Sequence, residues 1–142
     1  MISLQELEKY YQDGLLQKQN HPNYDLTIWN YSPKVQYEEL WDDITIQCRG
    51  LVTNINGDII ARPFKKFFNL EQLSPFNIPN EEFEVYEKMD GSLGILFNYQ
   101  GEWIMATRGS FSSPQAIRGK ELLQKYTFNR LHKDFTYLFE II

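Results

Sequence analysis

Leu4, Leu7, Tyr11 and Leu15 recur at helical spacing, and Ser3-Leu4-Gln5-Glu6 reads as a capping box. The pattern predicts an opening helix that Pro22 ends. From Tyr24 to Tyr31, apolar and polar residues alternate as in a strand. Residues 44–54 and 58–62 form a predicted strand pair joined at Asn56-Gly57, a hairpin signal. Residues 82–89 and 92–99 read as a second pair around Asp90-Gly91. Residues 102–108 continue as a strand after the Tyr99-Gln100-Gly101 turn. Ser113-Pro114 starts a helix that the pattern carries to about Tyr126, with proline at its first position. Residues 135–142 read as a final strand.

Strands in the middle and helices towards the ends predict an α+β antiparallel fold. No repeat, linker or low-complexity stretch interrupts the chain, so residues 1–142 are expected to form a single domain. The sequence stops inside an apolar strand, Tyr137-Leu138-Phe139-Glu140-Ile141-Ile142. Because such a strand needs neighbours, the expectation is a C-terminally incomplete domain.

Composition narrows the chemistry. The single cysteine, Cys48, excludes an internal disulfide and a Cys-rich zinc site. With only two histidines, His21 and His132, a His-rich metal site is not expected either. The N-terminus lacks the basic start and apolar run of a signal peptide, and no apolar run approaches the ~20 residues of a membrane span. The default expectation is cytoplasmic, with no membrane partner. Net charge is −5, but it is uneven. Residues 1–100 hold eight Lys and Arg against fifteen Asp and Glu, whereas residues 101–142 hold six against four. An acidic chain can still hold a polyanion at a local basic site.

The sharpest short motif is Lys88-Met89-Asp90-Gly91-Ser92. A lysine at a strand end, followed by a tight turn, presents its amine to a cleft, and Gly91 permits close backbone approach. Lysine is nucleophilic only when unprotonated, so such a site calls for nearby cations or desolvation. Alone, the motif equally describes an exposed turn. Upstream lie Arg49-Gly50-Leu51-Val52 and Arg62-Pro63-Phe64-Lys65-Lys66-Phe67-Phe68-Asn69, where bases interleave with rings. Cations suit phosphates and rings suit a base, although a basic loop anchored by phenylalanines reads the same way. Downstream are Thr107-Arg108-Gly109-Ser110 and Phe139-Glu140. Arg108 offers a fork of donors for phosphate. Glu140 lies either on the solvent face or where it can bind a ribose hydroxyl.

In their order and spacing these segments resemble the T4 RNA ligase 1-like family of the covalent nucleotidyltransferase superfamily. The resemblance covers about residues 24–142. It implies an antiparallel-sheet nucleotidyltransferase core similar to ATP-grasp. It implies an ATP-dependent RNA ligase in which Lys88 forms a lysyl-AMP intermediate, with Mg²⁺ as metal cofactor. The partners it implies are RNA 5′-phosphate and 3′-hydroxyl ends, those of tRNA among the plausible substrates. By the same resemblance Arg49, Lys66 and Arg108 would hold phosphates, from either ATP or RNA, and Phe68 would pack against the adenylate or shape its pocket. Asp90 and Gly91 would belong to the nucleotide site and Glu140 would bind the ribose. Two further family motifs, a metal-binding carboxylate and a lysine strand, would follow the Phe139-Glu140 strand, beyond Ile142. The alternative is a non-catalytic nucleotide- or RNA-binding module.

Overall fold

The computed structural model describes residues 1–74 and 78–142. Helix α1 (Leu4–Gln12) opens with the expected capping box. The Glu6 backbone N–H donates to Ser3 Oγ, and the Ser3 N–H donates to Glu6 Oε2 at 2.9 Å. The helix stops well before Pro22. Gly14 takes a positive φ of 76° and turns the chain into β1 (Leu16–Asn20). Residues 16–20 carry mostly long polar side chains and give no alternation to read, so this strand was not legible. It forms by pairing with β2 (Leu26–Tyr31), with Leu16 opposite Tyr31.

A short helix α2 (Pro33–Glu38) follows, ended by Glu39 in the left-handed region. The expected strand over 44–54 is shorter. Asp42 Oδ1 accepts from the N–H groups of Ile44 and Thr45, which folds 42–48 into turns. The strand β3 (Arg49–Asn54) starts only after them and pairs with β4 (Ile59–Ala61) across the Asn56-Gly57 turn. The first sheet is therefore antiparallel, in the order β1-β2-β3-β4.

A 3-10 turn at Leu70–Gln72 precedes β5 (Ser92–Tyr99), β6 (Glu102–Ala106), helix α3 (Pro114–Leu123) and β7 (Tyr137–Ile141). Ser113 caps α3 by accepting from the Ala116 N–H. The second sheet, also antiparallel, has the order β6-β5-β7. This corrects the expectation for residues 82–89. They form no strand, and β5 pairs with β6 and β7 instead. Phe83, Val85 and Tyr86 alternate with acidic residues, yet all three are exposed. Alternation fits a strand only where a sheet covers one face, and no such cover meets this segment.

The two sheets enclose one core. Leu26, Ile28, Val52 and Ala61 come from the first sheet and meet Ile95, Phe97, Ile104 and Ala106 from the second. The other face of the first sheet packs Trp29 and Leu51 against Leu7 of α1, with Leu16, Val35 and Cys48. Buried Trp29 donates its indole N–H to Thr53 Oγ1 at 2.9 Å, so its polar atom is satisfied. Among the described residues no helix is long and apolar enough to cross a membrane.

Candidate nucleotide site

Gly50 and Gly91 set the site by letting backbones approach. At Gly50 the chain enters β3 with φ +90°, and a Cβ there would overlap the Ile95 side chain and lie 3.2 Å from the Arg108 carbonyl oxygen. Glycine thus brings the Arg49 end of the first sheet against the end of β6. At Gly91 a Cβ would overlap the Ile141 carbonyl oxygen, so the turn after Lys88 lies flat against β7. The Gly91 N–H donates to Glu140 Oε1 at 3.0 Å. Thr107 and Ser110 close the third turn, with the Thr107 N–H donating to the Ser110 carbonyl at 2.9 Å. Gln19 of β1 fixes that turn by accepting from the Phe111 N–H at 2.7 Å.

These approaches frame a cleft of about 1270 Å³. Six of the eight residues singled out in the sequence line it: Arg49, Lys88, Asp90, Gly91, Arg108 and Glu140. They come from four separate segments. Lys88 and Glu140 are exposed, with Glu140 turned back to its backbone partner rather than left free on the solvent face.

Both arginines rest on rings. The Arg49 guanidinium lies 5.4 Å from the Phe67 ring centre, and that of Arg108 lies 5.4 Å from Tyr31. Arg108 Nη1 also donates to the Tyr31 hydroxyl at 3.1 Å. A guanidinium held on a ring still presents the edge of its planar fork to an anion. The neighbouring Cys48 plays no such part, since burial pushes its thiol up to about 12.

Lys66 and Phe68 are placed differently, outside the lining of the cleft. Lys66 Nζ lies 5.0 Å from the Phe68 ring centre and 5.7 Å from that of Trp41, and it donates to the Phe67 carbonyl at 3.0 Å. Phe68 packs edge-on against Trp41. The rings that do line the cleft are Phe64, Phe67, Tyr86 and Phe139. The interleaving of bases and rings at 62–69 signalled rings near cations. Which ring turns inward depends on a loop conformation that the spacing does not encode. Tyr31, the partner of Arg108, was concealed as one more strand aromatic.

A cleft of this size, with two arginines and a glycine turn, suits a nucleoside triphosphate. The fit for Mg²⁺ is partial. Among the described residues no group of three or more His, Cys, Asp or Glu could hold a metal. Magnesium is commonly held by one or two carboxylates together with substrate phosphates; the wall offers Glu87, Asp90 and Glu140, of which Glu140 is already engaged by the Gly91 N–H.

The family profile described as RNA ligase matches residues 47–141, which span every motif of the cleft. The chain belongs to this RNA ligase family. It is 35% identical over 125 residues to a protein of Autographa californica nuclear polyhedrosis virus named as a bifunctional polynucleotide kinase/RNA ligase, covering 79% of this chain and 17% of that protein. It is 31% identical over 106 residues to a protein of Thermovibrio ammonificans named as an RNA ligase, covering 68% of this chain and 28% of that one. The chain thus spans under a third of the length of either relative.

Proposed function

We propose that this chain is the nucleotide-binding part of an ATP-dependent RNA ligase, built on a nucleotidyltransferase core similar to ATP-grasp. The observation that carries the reading is the convergence of Lys88, Arg49, Arg108 and Glu140 on one cleft. Lys88 Nζ, as the free amine, attacks the α-phosphorus of ATP. An N–P bond forms, the P–O bond to pyrophosphate breaks, and the amine gives up a proton to solvent. Arg49 and Arg108 bind the phosphates and spread the charge that develops on them. Gly91 keeps the backbone close, and Glu140 fixes that turn and binds the ribose. An RNA 5′-phosphate oxygen then takes the adenylyl group from Lys88. An RNA 3′-hydroxyl displaces AMP and seals the strand. Mg²⁺, when bound, neutralises phosphate charge.

Intact-protein mass after incubation with ATP and Mg²⁺ tests the first step. One covalent AMP on wild type and none on Lys88→Ala is the expected result. The exposure of Lys88 on a segment without strand partners favours a second reading, a nucleotide- or RNA-binding module without catalysis. No adduct on wild type, together with saturable ATP binding, would establish that reading in place of the first.

A further inference from the structure

The net-positive stretch 101–142 carries a second feature, away from the cleft. Five rings follow one another in contact. Phe128 lies 5.6 Å from Trp103, Trp103 lies 6.3 Å from Tyr137, and Tyr137 lies 6.3 Å from Phe135. Phe135 stacks on His132 at 4.7 Å with an interplanar angle of 27°.

Strand register explains the series. Trp103 on β6 faces Asn98 of β5, and Tyr137 on β7 faces Leu96. Leu96 and Asn98 have the same parity, so both rings stand on the same face of the second sheet. That face is opposite the one that carries Ile95 and Phe97 into the core. Helix α3 covers only its other end, where Gly119 meets Ile141 and Met105.

The loop that supplies the remaining rings also supplies charge. Arg130 and Lys133 are both exposed, and neither has an ion-pair partner among the described residues. Asp134 is the acidic residue of this loop, and it lies against His132. Phe135 is 59% exposed although it stacks on His132. Rings held in series beside unpaired cations are what a single strand of nucleic acid binds. The bases stack on the rings and the phosphates meet the cations.

We propose that the ladder Phe128–Trp103–Tyr137–Phe135–His132, with Arg130 and Lys133, is a platform for single-stranded RNA outside the nucleotide cleft. The choice of RNA rests on the ligase reading. The platform would hold part of the RNA strand while its end reaches the cleft.

The test is fluorescence anisotropy with a labelled 12-nucleotide single-stranded RNA and, separately, a blunt RNA duplex of the same sequence. Wild type should bind the single strand, and the duplex at least about tenfold more weakly because its bases are already stacked. Phe135→Ala should weaken binding about fivefold or more, and Phe135→Trp should restore it. The Arg130→Ala/Lys133→Ala pair should flatten the slope of log affinity against log salt by about 1.4, at ~0.7 for each phosphate no longer neutralised. Lysyl-AMP formation from ATP should be the same in every variant. No binding by wild type, equal binding of single strand and duplex, or wild-type affinity in Phe135→Ala and the double variant would each overturn the platform. The two readings separate cleanly. Intact adduct formation with unaltered RNA binding in the variants removes the platform alone. Platform-dependent RNA binding with no adduct on wild type removes the ligase reading alone.

Discussion

The Gly91 N–H donates to Glu140 Oε1 across 49 positions of sequence, at 3.0 Å. It ties the turn that follows Lys88 to β7. The acceptor is a carboxylate, so the bond belongs to the stronger class, with removal costing about 1.5–3 kcal/mol. If the bond sets the approach of Lys88 to the nucleotide, Glu140→Ala should slow lysyl-AMP formation by about 10–100-fold. Glu140→Gln keeps an amide oxygen as acceptor and should fall between wild type and Glu140→Ala. Single-turnover kinetics with labelled ATP measure it. An undiminished rate in Glu140→Ala would remove Glu140 from the site.

Gly91 itself has no room for a side chain, since a Cβ would overlap the Ile141 carbonyl. Gly109 is the comparison. A Cβ there would sit 3.6 Å from Asn30 Cβ, ordinary contact. Gly91→Ala should therefore lower stability by about 1–3 kcal/mol, because β7 must shift to admit the methyl group. Gly109→Ala should change it far less. Urea unfolding of the two variants decides, and equal midpoints would mean that the Gly91 turn moves away from β7 without cost.

Cys48 is buried between the first sheet and Leu7, and burial raises its thiol to about 12. The folded state thus favours the neutral thiol more strongly than the unfolded chain does. Its contribution to stability is whole below the ordinary thiol value near 9 and declines as pH rises from there towards 12. The native protein should resist iodoacetamide at pH 8 and react fully in urea. Cys48→Ala should lose less stability between pH 8 and 10.5 than wild type does. Rapid alkylation of the native protein would contradict the burial.

Much of this architecture was legible where local chemistry decides. The Ser3 capping box, the Asn56-Gly57 hairpin and the Ser113-Pro114 helix start each state their structure within four residues. Elements that depend on distant partners were not. β1 is a strand because Tyr31 and its neighbours pair with it. Residues 82–89 have the pattern of a strand but, among the described residues, no neighbour to pair with. The site divides the same way. Motif order assembled Arg49, Lys88, Arg108 and Glu140, and Gly50 and Gly91 make that assembly possible by close approach. In the loop from Phe64 to Phe68 neither spacing nor propensity says which ring turns inward. Phe67 lines the cleft where Phe68 was expected, and Lys66 rests on Trp41.

The segment before Lys88 makes the last prediction. Phe83 and Tyr86 are 85% and 77% exposed, and residues 82–89 make no ladder with either sheet. A protease needs an accessible backbone free of such pairing, so chymotrypsin should cut first after Phe83 and Tyr86. Most other large aromatics sit in strands or against the core. Tyr37 is as exposed but sits in helix α2, so Phe64, Phe67 and Tyr126 offer the nearest competition. Tyr86, Lys88 and Met89 also line the cleft, so a nucleotide bound there should cover the same backbone. ATP at saturating concentration should slow cleavage at Tyr86 several-fold while leaving cleavage at a site remote from the cleft, such as Tyr126, unchanged. Mass spectrometry of the early fragments reads both results. First cuts elsewhere would mean that 82–89 is covered in solution. Cuts at Tyr86 that ATP does not slow would place the nucleotide outside this cleft.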